Sequence, residues 1–235
     1  MQNLMLLGGL QKVSLVDYPG RVAATVFTAG CNFLCPFCHN PELVTIGKYP
    51  EQMFLPDEDF FDFLKSRHGL IEGVCVSGGE PTIQENLPEF LKKIKAMGFL
   101  TKLDTNGARP EALKNLAKEN LVDYLAMDIK GPLDKYGKIT GMNIDFEKIH
   151  ESTELTRQFP DYEFRTTVIP KFHKKEDFLS IAKWLDGAKK YFLQQFRPEK
   201  TFDESFQHIR PYPDEKLGEF CNLIKPYFET CEVRI

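Results

Sequence analysis

The sequence predicts an α/β fold, a partial (β/α)6 barrel of parallel strands. Three observations carry this. Apolar and β-branched runs recur along the chain, each is followed by a stretch whose apolar residues repeat at helical spacing, and Pro and Gly punctuate the helix ends. Strands alternating with helices pack as a parallel sheet wound by right-handed crossovers. About six such units are too few for a closed eight-unit barrel, and 235 residues suit one domain spanning 1–235.

The elements follow in order. An apolar stretch, Leu4–Leu10, is interrupted by Gly8 and Gly9, has no basic leader and is followed by Lys12 and Asp17, so it is not read as a secretory signal. Val22–Phe27 is the first strand. Asp57–Arg67 is a helix opened by Pro56, and Val74–Ser77 is the next strand. Leu87–Met97 is a helix closed by Gly98, where the chain turns into strand Leu100–Thr105. Helix Pro110–Glu119 starts on a proline, which the first helical turn tolerates, and leads to strand Tyr124–Ile129. Helix Asp145–Phe159, strand Phe164–Ile169, helix Glu176–Leu185 and strand Tyr191–Phe196 continue the alternation. Helix Pro213–Tyr227 and a terminal strand near Glu229–Arg234 close the chain. Two irregular stretches, Lys130–Asn143 and Arg197–Pro213, are the expected mobile segments.

Composition narrows the function. The 30 basic and 34 acidic residues are intermixed, with a net charge of −4, so there is no electrostatic footprint for nucleic acid. Nothing approaches the ~20 apolar residues of a membrane-spanning helix. Six cysteines fall far short of a disulfide-dense secreted pattern and imply a reduced, cytoplasmic setting. Cys75, Cys221 and Cys231 lie in apolar surroundings and read as small core residues.

The remaining three cysteines share one loop, CNFLCPFCHN, at spacings of four and three. Cys35 and Cys38 alone have a common zinc or redox spacing. A structural zinc site takes four ligands, however, and His39 is awkwardly adjacent to Cys38; a dithiol reading leaves Cys31 without a role. A [4Fe–4S] cube normally takes four thiolates. Held by three, it keeps one iron open for a substrate. Other unusual polar residues also fall after strands: Ser77-Gly78-Gly79-Glu80-Pro81, Asp104-Thr105-Asn106-Gly107 and Asp128-Ile129-Lys130. Ligands gather beyond the carboxyl ends of strands in parallel α/β folds, so these loops read as one site.

With those motifs behind it, Cys31-x-x-x-Cys35-x-Phe37-Cys38 resembles the cluster motif of radical S-adenosylmethionine enzymes. GGLQKVSLVDYPG, FTAGCNFLCPFCHNPELV and LQQFRP further resemble the glycyl-radical activating enzymes, most closely the activating proteins of anaerobic ribonucleoside-triphosphate reductase. The resemblance implies that Cys31, Cys35 and Cys38 bind three irons. The fourth iron is then chelated by S-adenosylmethionine, which an electron from the cluster splits to methionine and a 5′-deoxyadenosyl radical. That radical removes hydrogen from a glycine of a partner glycyl-radical enzyme, with reduced flavodoxin or ferredoxin as electron donor.

Candidate roles follow for the other residues. Gly78 and Gly79 let backbone approach a ligand, and Glu80 can accept a charge-assisted hydrogen bond from the ligand ammonium. Phe37 either lies against the adenine or packs the loop. The resemblance gives Asp104 and Asp128 a monovalent cation to hold beside S-adenosylmethionine, and pairs Lys130 and Arg165 with the ligand carboxylate or these acids. Asn40 and His39, in the motif's tail, are candidates to hydrogen-bond near the cluster or substrate, and His39 is equally a candidate to brace the loop. Gln194-Gln195-Phe196-Arg197 stands where pyruvate formate-lyase activating enzymes carry a histidine, which weighs against pyruvate formate-lyase as the partner. Two alternatives remain: a radical enzyme acting on a small molecule, like the 7-carboxy-7-deazaguanine synthases, and a metal-bound interaction module.

Overall fold

The computed structural model describes residues 4–46 and 54–235. Among them, eight strands form one sheet and lie in chain order across it. They are β1 (Leu7–Ser14), β2 (Ala23–Thr28), β3 (Gly73–Gly78), β4 (Leu100–Thr105), β5 (Tyr124–Asp128), β6 (Asp161–Val168), β7 (Ala188–Gln195) and β8 (Phe228–Arg234). β1 runs antiparallel to β2. Every later pair is parallel. The main crossover helices are α2 (Asp57–Lys65), α3 (Leu87–Ala96), α4 (Pro110–Lys118), α6 (Phe146–Thr156), α7 (Lys175–Trp184) and α8 (Asp214–Ile224). Two short helices, α1 (Pro41–Val44) and α5 (Tyr136–Thr140), sit in loops. Six strand–helix units, β2–α2 to β7–α8, therefore precede the last strand, which is the expected partial (β/α)6 arrangement. Among the described residues no helix is long and apolar enough to cross a membrane.

Period-two alternation sorts the parallel strands into two chemically distinct faces. One face carries Val74 and Val76, Leu103, Leu125 and Met127, Phe164, and Tyr191 and Leu193, all fully buried. It packs on the helices through side chains such as Phe60, Leu91, Leu113, Ile149, Ile181 and Leu217, which form one continuous apolar core. The other face is polar: Cys75 registers with Lys102, Lys102 with Tyr124, and Asp128 with Arg165. Burying these charges demands partners, and ion pairs supply them. Glu163, fully buried, accepts two bonds from Arg234, at 2.6 and 2.7 Å, and one from the Tyr124 hydroxyl at 2.7 Å.

β1 was not expected. Its pairing slips between Leu7 and Gly9 and again between Gln11 and Ser14, and the two glycines blur the alternation a strand would show. Gly8 has a packing reason, since a Cβ there would meet Leu43 of α1 at 2.3 Å. β6 and β7 begin three residues before the predicted strands because Asp161, Glu163, Lys189 and Lys190 mask their starts. The two irregular stretches are better anchored than expected. Tyr136, Ile139 and Thr140 of α5 are fully buried. Arg197–Pro213 contains a 3-10 turn, Glu204–His208, pinned by Phe206 at 2% exposure.

Candidate active site

The cysteine loop leaves the carboxyl end of β2 and is stapled on several sides. Gly30 N–H donates to the Leu43 carbonyl at 2.6 Å, and Cys31 N–H to that of Val44 at 3.1 Å. Leu34 N–H reaches the Thr140 carbonyl of α5 at 2.9 Å, and Asp203 N–H reaches that of Pro36 at 2.9 Å. Cys38 N–H donates to the Cys35 carbonyl at 3.0 Å, closing a turn between those two thiols. The Arg197–Pro213 segment thus straps the loop from above, reinforced by the Lys200–Glu42 ion pair at 2.6 Å.

Below the loop lies a cavity of about 200 Å3 at the carboxyl ends of the strands, and every site residue singled out from the sequence lines it. Cys31, Cys35 and Cys38 face it with Phe37 and Asn40 from the loop, Gly78, Gly79 and Glu80 after β3, Asp104 of β4, Asp128 and Lys130 around the end of β5, and Arg165 of β6. Among the described residues, no three His, Cys, Asp or Glu side chains are grouped to hold a single metal ion. The fit to a larger iron–sulfur cube rests on the donor chemistry. Burial pushes the Cys31 thiol up to about 12 and the Cys35 thiol up to about 11, and raises Cys38 as well. Thiolates here therefore call for a strongly cationic partner, and the backbone already turns toward them, with Phe33 N–H donating to Cys31 Sγ at 3.4 Å. The three thiols fit such a centre.

Several expected roles change in detail. Gly78 (φ +117°) and Gly79 were expected to make room for a ligand, but the chain itself requires them. A Cβ on Gly78 would meet Thr28 N at 2.3 Å, and one on Gly79 would meet Gly30 O at 2.0 Å. Both positions still line the cavity. Gly79→Ala is expected to lower stability by ~1–3 kcal/mol through this overpacking, read as a lower urea midpoint with an unchanged slope. Glu80, 1% exposed, already accepts from Thr82 N–H at 3.1 Å, the Thr82 and Thr105 hydroxyls at 2.5 and 2.8 Å, and Asn106 N–H at 2.6 Å. Its Oε2 serves only one of these donors, which leaves a lone pair for an ammonium. Phe37 packs edge-on against Phe172, with centroids 6.2 Å apart, while also lining the cavity.

Arg165 stands between the two carboxylates, where the sequence reading placed a cation. Its Nη2 lies 3.1 Å from Asp104 and its Nε 2.5 Å from Asp128. Lys102 also pairs with Asp104, and Lys130 lies 2.9 Å from Asp128. Burial alone would raise both carboxyls, yet Arg165 with Lys102 or Lys130 outweighs it and holds each below the usual carboxylate range. The pair's charge is thus met from within the chain.

Sequence reasoning missed Lys102, whose charged head is hidden on a strand, and His173. The latter is fully buried. Its Nδ1 accepts from Ile169 N–H at 2.9 Å, so Nε2 carries the proton and donates to the Lys130 carbonyl at 2.8 Å. His173 therefore fixes the backbone of Lys130 against the end of β6. Burial lowers its pKa to about 4. The unfolded chain then binds the extra proton between pH ~6.5 and ~4, so stability falls by up to about 3 kcal/mol as pH drops through that window. Urea titrations across it should show this slope in the wild type, flattened in His173→Gln.

A sequence profile described as the Radical SAM superfamily matches residues 25–185. A candidate glycyl-radical enzyme activating enzyme of Methanocaldococcus jannaschii is 34% identical over 238 residues, covering 97% of this chain and 95% of that protein. The pyruvate formate-lyase-activating enzyme of Staphylococcus epidermidis is 32% identical over 233 residues, covering 94% and 86%. Among solved structures, Streptococcus suis SuiB bound to S-adenosylmethionine shares the fold, with a TM-score of 0.63 at 14% identity over 84% of this chain and 45% of that one. This chain spans under half of SuiB. With the profile covering well over half of the residues and the first of these relatives aligned along nearly its whole length, the chain belongs to the radical SAM superfamily and, within it, to the glycyl-radical enzyme activating enzymes.

Proposed function

We propose that this enzyme activates anaerobic ribonucleoside-triphosphate reductase, taking electrons from reduced flavodoxin or ferredoxin in the cytoplasm and working as a single domain. The observation that carries the reading is one cavity that gathers three thiols of one loop and the polar ends of four strands. Cys31, Cys35 and Cys38 would hold the cluster, and Glu80, Asn40 and Lys130 would bind S-adenosylmethionine. When bound, the cluster and S-adenosylmethionine supply the electron and the adenosyl radical that takes hydrogen from the partner's glycine. The chain's own residues orient and shield: Glu80 receives the ammonium, Lys130, placed by His173, meets the carboxylate, and Phe37 and Phe33 exclude water beside the thiols.

Arg165 supplies the positive charge between Asp104 and Asp128 that a monovalent cation would otherwise bring. The decisive experiment mixes the reconstituted protein anaerobically with reductant, S-adenosylmethionine and the reductase. A glycyl radical doublet in the electron paramagnetic resonance spectrum is expected. Cleavage of S-adenosylmethionine with no such signal in the reductase, while another glycyl-radical enzyme gives one, would assign a different partner.

A further inference from the structure

We propose that Cys221 and Cys231 are a reversible disulfide site joining the last helix to the edge strand, separate from the cluster loop. Cys221 lies in α8 and Cys231 in β8, and their sulfurs are 3.3 Å apart. An S–S bond needs a further approach of only roughly 1.2 Å. Both thiols are free, and both are buried, at 6% and 4% exposure.

Two patterns aim them at each other. Cys231 registers with Tyr191 on the helix-facing side of the sheet. Cys221 falls on the buried stripe of α8 with Leu217, Phe220 and Ile224. A 3-10 turn, Lys225–Tyr227, reverses the chain between them, so the helix lies along the strand that follows it. Two core residues need only touch, but these sulfurs share a hydrogen bond, and the pair is chemically asymmetric. Either sulfur can be the donor; with Cys231 donating, the bond lowers the Cys221 pKa and raises that of Cys231, with burial adding to the latter rise. In that arrangement Cys221 is the attacking thiol. β8 is a sheet edge, where local opening admits a small oxidant most readily.

The chemistry balances with a low-molecular-weight disulfide as oxidant. The Cys221 thiolate attacks one oxidant sulfur and releases one thiolate. The Cys231 thiolate then attacks the Cys221 sulfur, forming the internal S–S bond and releasing the second thiolate. Two electrons pass to the oxidant, and the two cysteine protons end on its thiols. The bridge closes a short loop, so its direct stabilisation is modest, but it fixes α8, which directly follows the strap over the cysteine loop.

The test equilibrates the anaerobically reconstituted holoprotein with oxidised glutathione, quenches with iodoacetamide under denaturing conditions and maps peptides by mass spectrometry. The expected result is a Cys221–Cys231 cross-linked peptide, loss of two alkylatable thiols, full return of both with dithiothreitol, and a melting temperature a few degrees higher in the oxidised form. Cys221→Ser and Cys231→Ser should each abolish the cross-link while retaining bound iron. Alkylation of both cysteines after oxidation overturns the proposal, as does a persistent glutathione adduct on either one or a cross-link to any other cysteine.

Discussion

Cys35→Ala, reconstituted anaerobically, is expected to lose most of its bound iron and to cleave S-adenosylmethionine at the detection limit. Cys35 is the most buried of the three loop thiols. The residues on either side of it are tied to opposite walls: Leu34 to α5 and Pro36 to the strap. No neighbouring cysteine can move into its place, because Cys75 lies lower on the polar face of β3, 3.7 Å from the Lys102 ammonium. Removing a direct ligand should exceed the ~10–100-fold effect of losing an outer-shell partner. Iron and sulfide content, together with chromatographic assay of 5′-deoxyadenosine, measure the outcome. Cys75→Ala is the control and should retain its iron; equal loss in both variants would mean that the loop is not the ligand set.

Arg165→Ala should be the most destabilising substitution at the site. One guanidinium serves both Asp104 and Asp128 in the cavity wall. Its removal leaves two half-buried carboxylates with Lys102, Lys130 and the Ser77 hydroxyl, 2.9 Å from Asp104, and breaking a buried pair typically costs about 3–5 kcal/mol, an upper bound for this half-buried one. Urea denaturation at neutral pH should record the loss. Both acids sit below the usual carboxylate range in the wild type, so the stability they contribute is present at neutral pH and is lost as pH falls below about 4. The variant should therefore lose less stability than the wild type on acidification. Arg165→Lys should recover part of the difference, since a point charge cannot serve both carboxylates with the geometry of a planar fork.

How much of this was legible in the sequence depended on whether side chain and period agreed. β4 was read to the residue because Leu100–Thr105 is bounded by Gly98 and by the turn at Asn106-Gly107. The cysteine loop and the strand-end motifs announced themselves by composition, and the fold brought them to one cavity. β1 was hidden by its glycines and slipped register. The starts of β6 and β7 were hidden by charged residues that are satisfied only across the sheet, as Glu163 is by Arg234. Arg165 was expected to pair with the ligand carboxylate or with Asp104 and Asp128, and it is found on both acids; His173 as a brace was invisible because it acts through the distant Lys130 carbonyl. The glycines of the Ser77–Pro81 motif were recognised, but a second reason for them was not visible, because they also accommodate the backbone of the neighbouring strand and loop.

The strap over the cysteine loop bears on how the enzyme is made. Pro36 is held by Asp203 and Glu42 by Lys200, so the walls around the three thiols are complete only when the last third of the chain has been synthesised. A nascent polypeptide still threading through the ribosome would present its cysteines early but unsheltered. Iron and sulfide reaching the three thiols after the strap has closed would meet walls that distant parts of the chain have already joined.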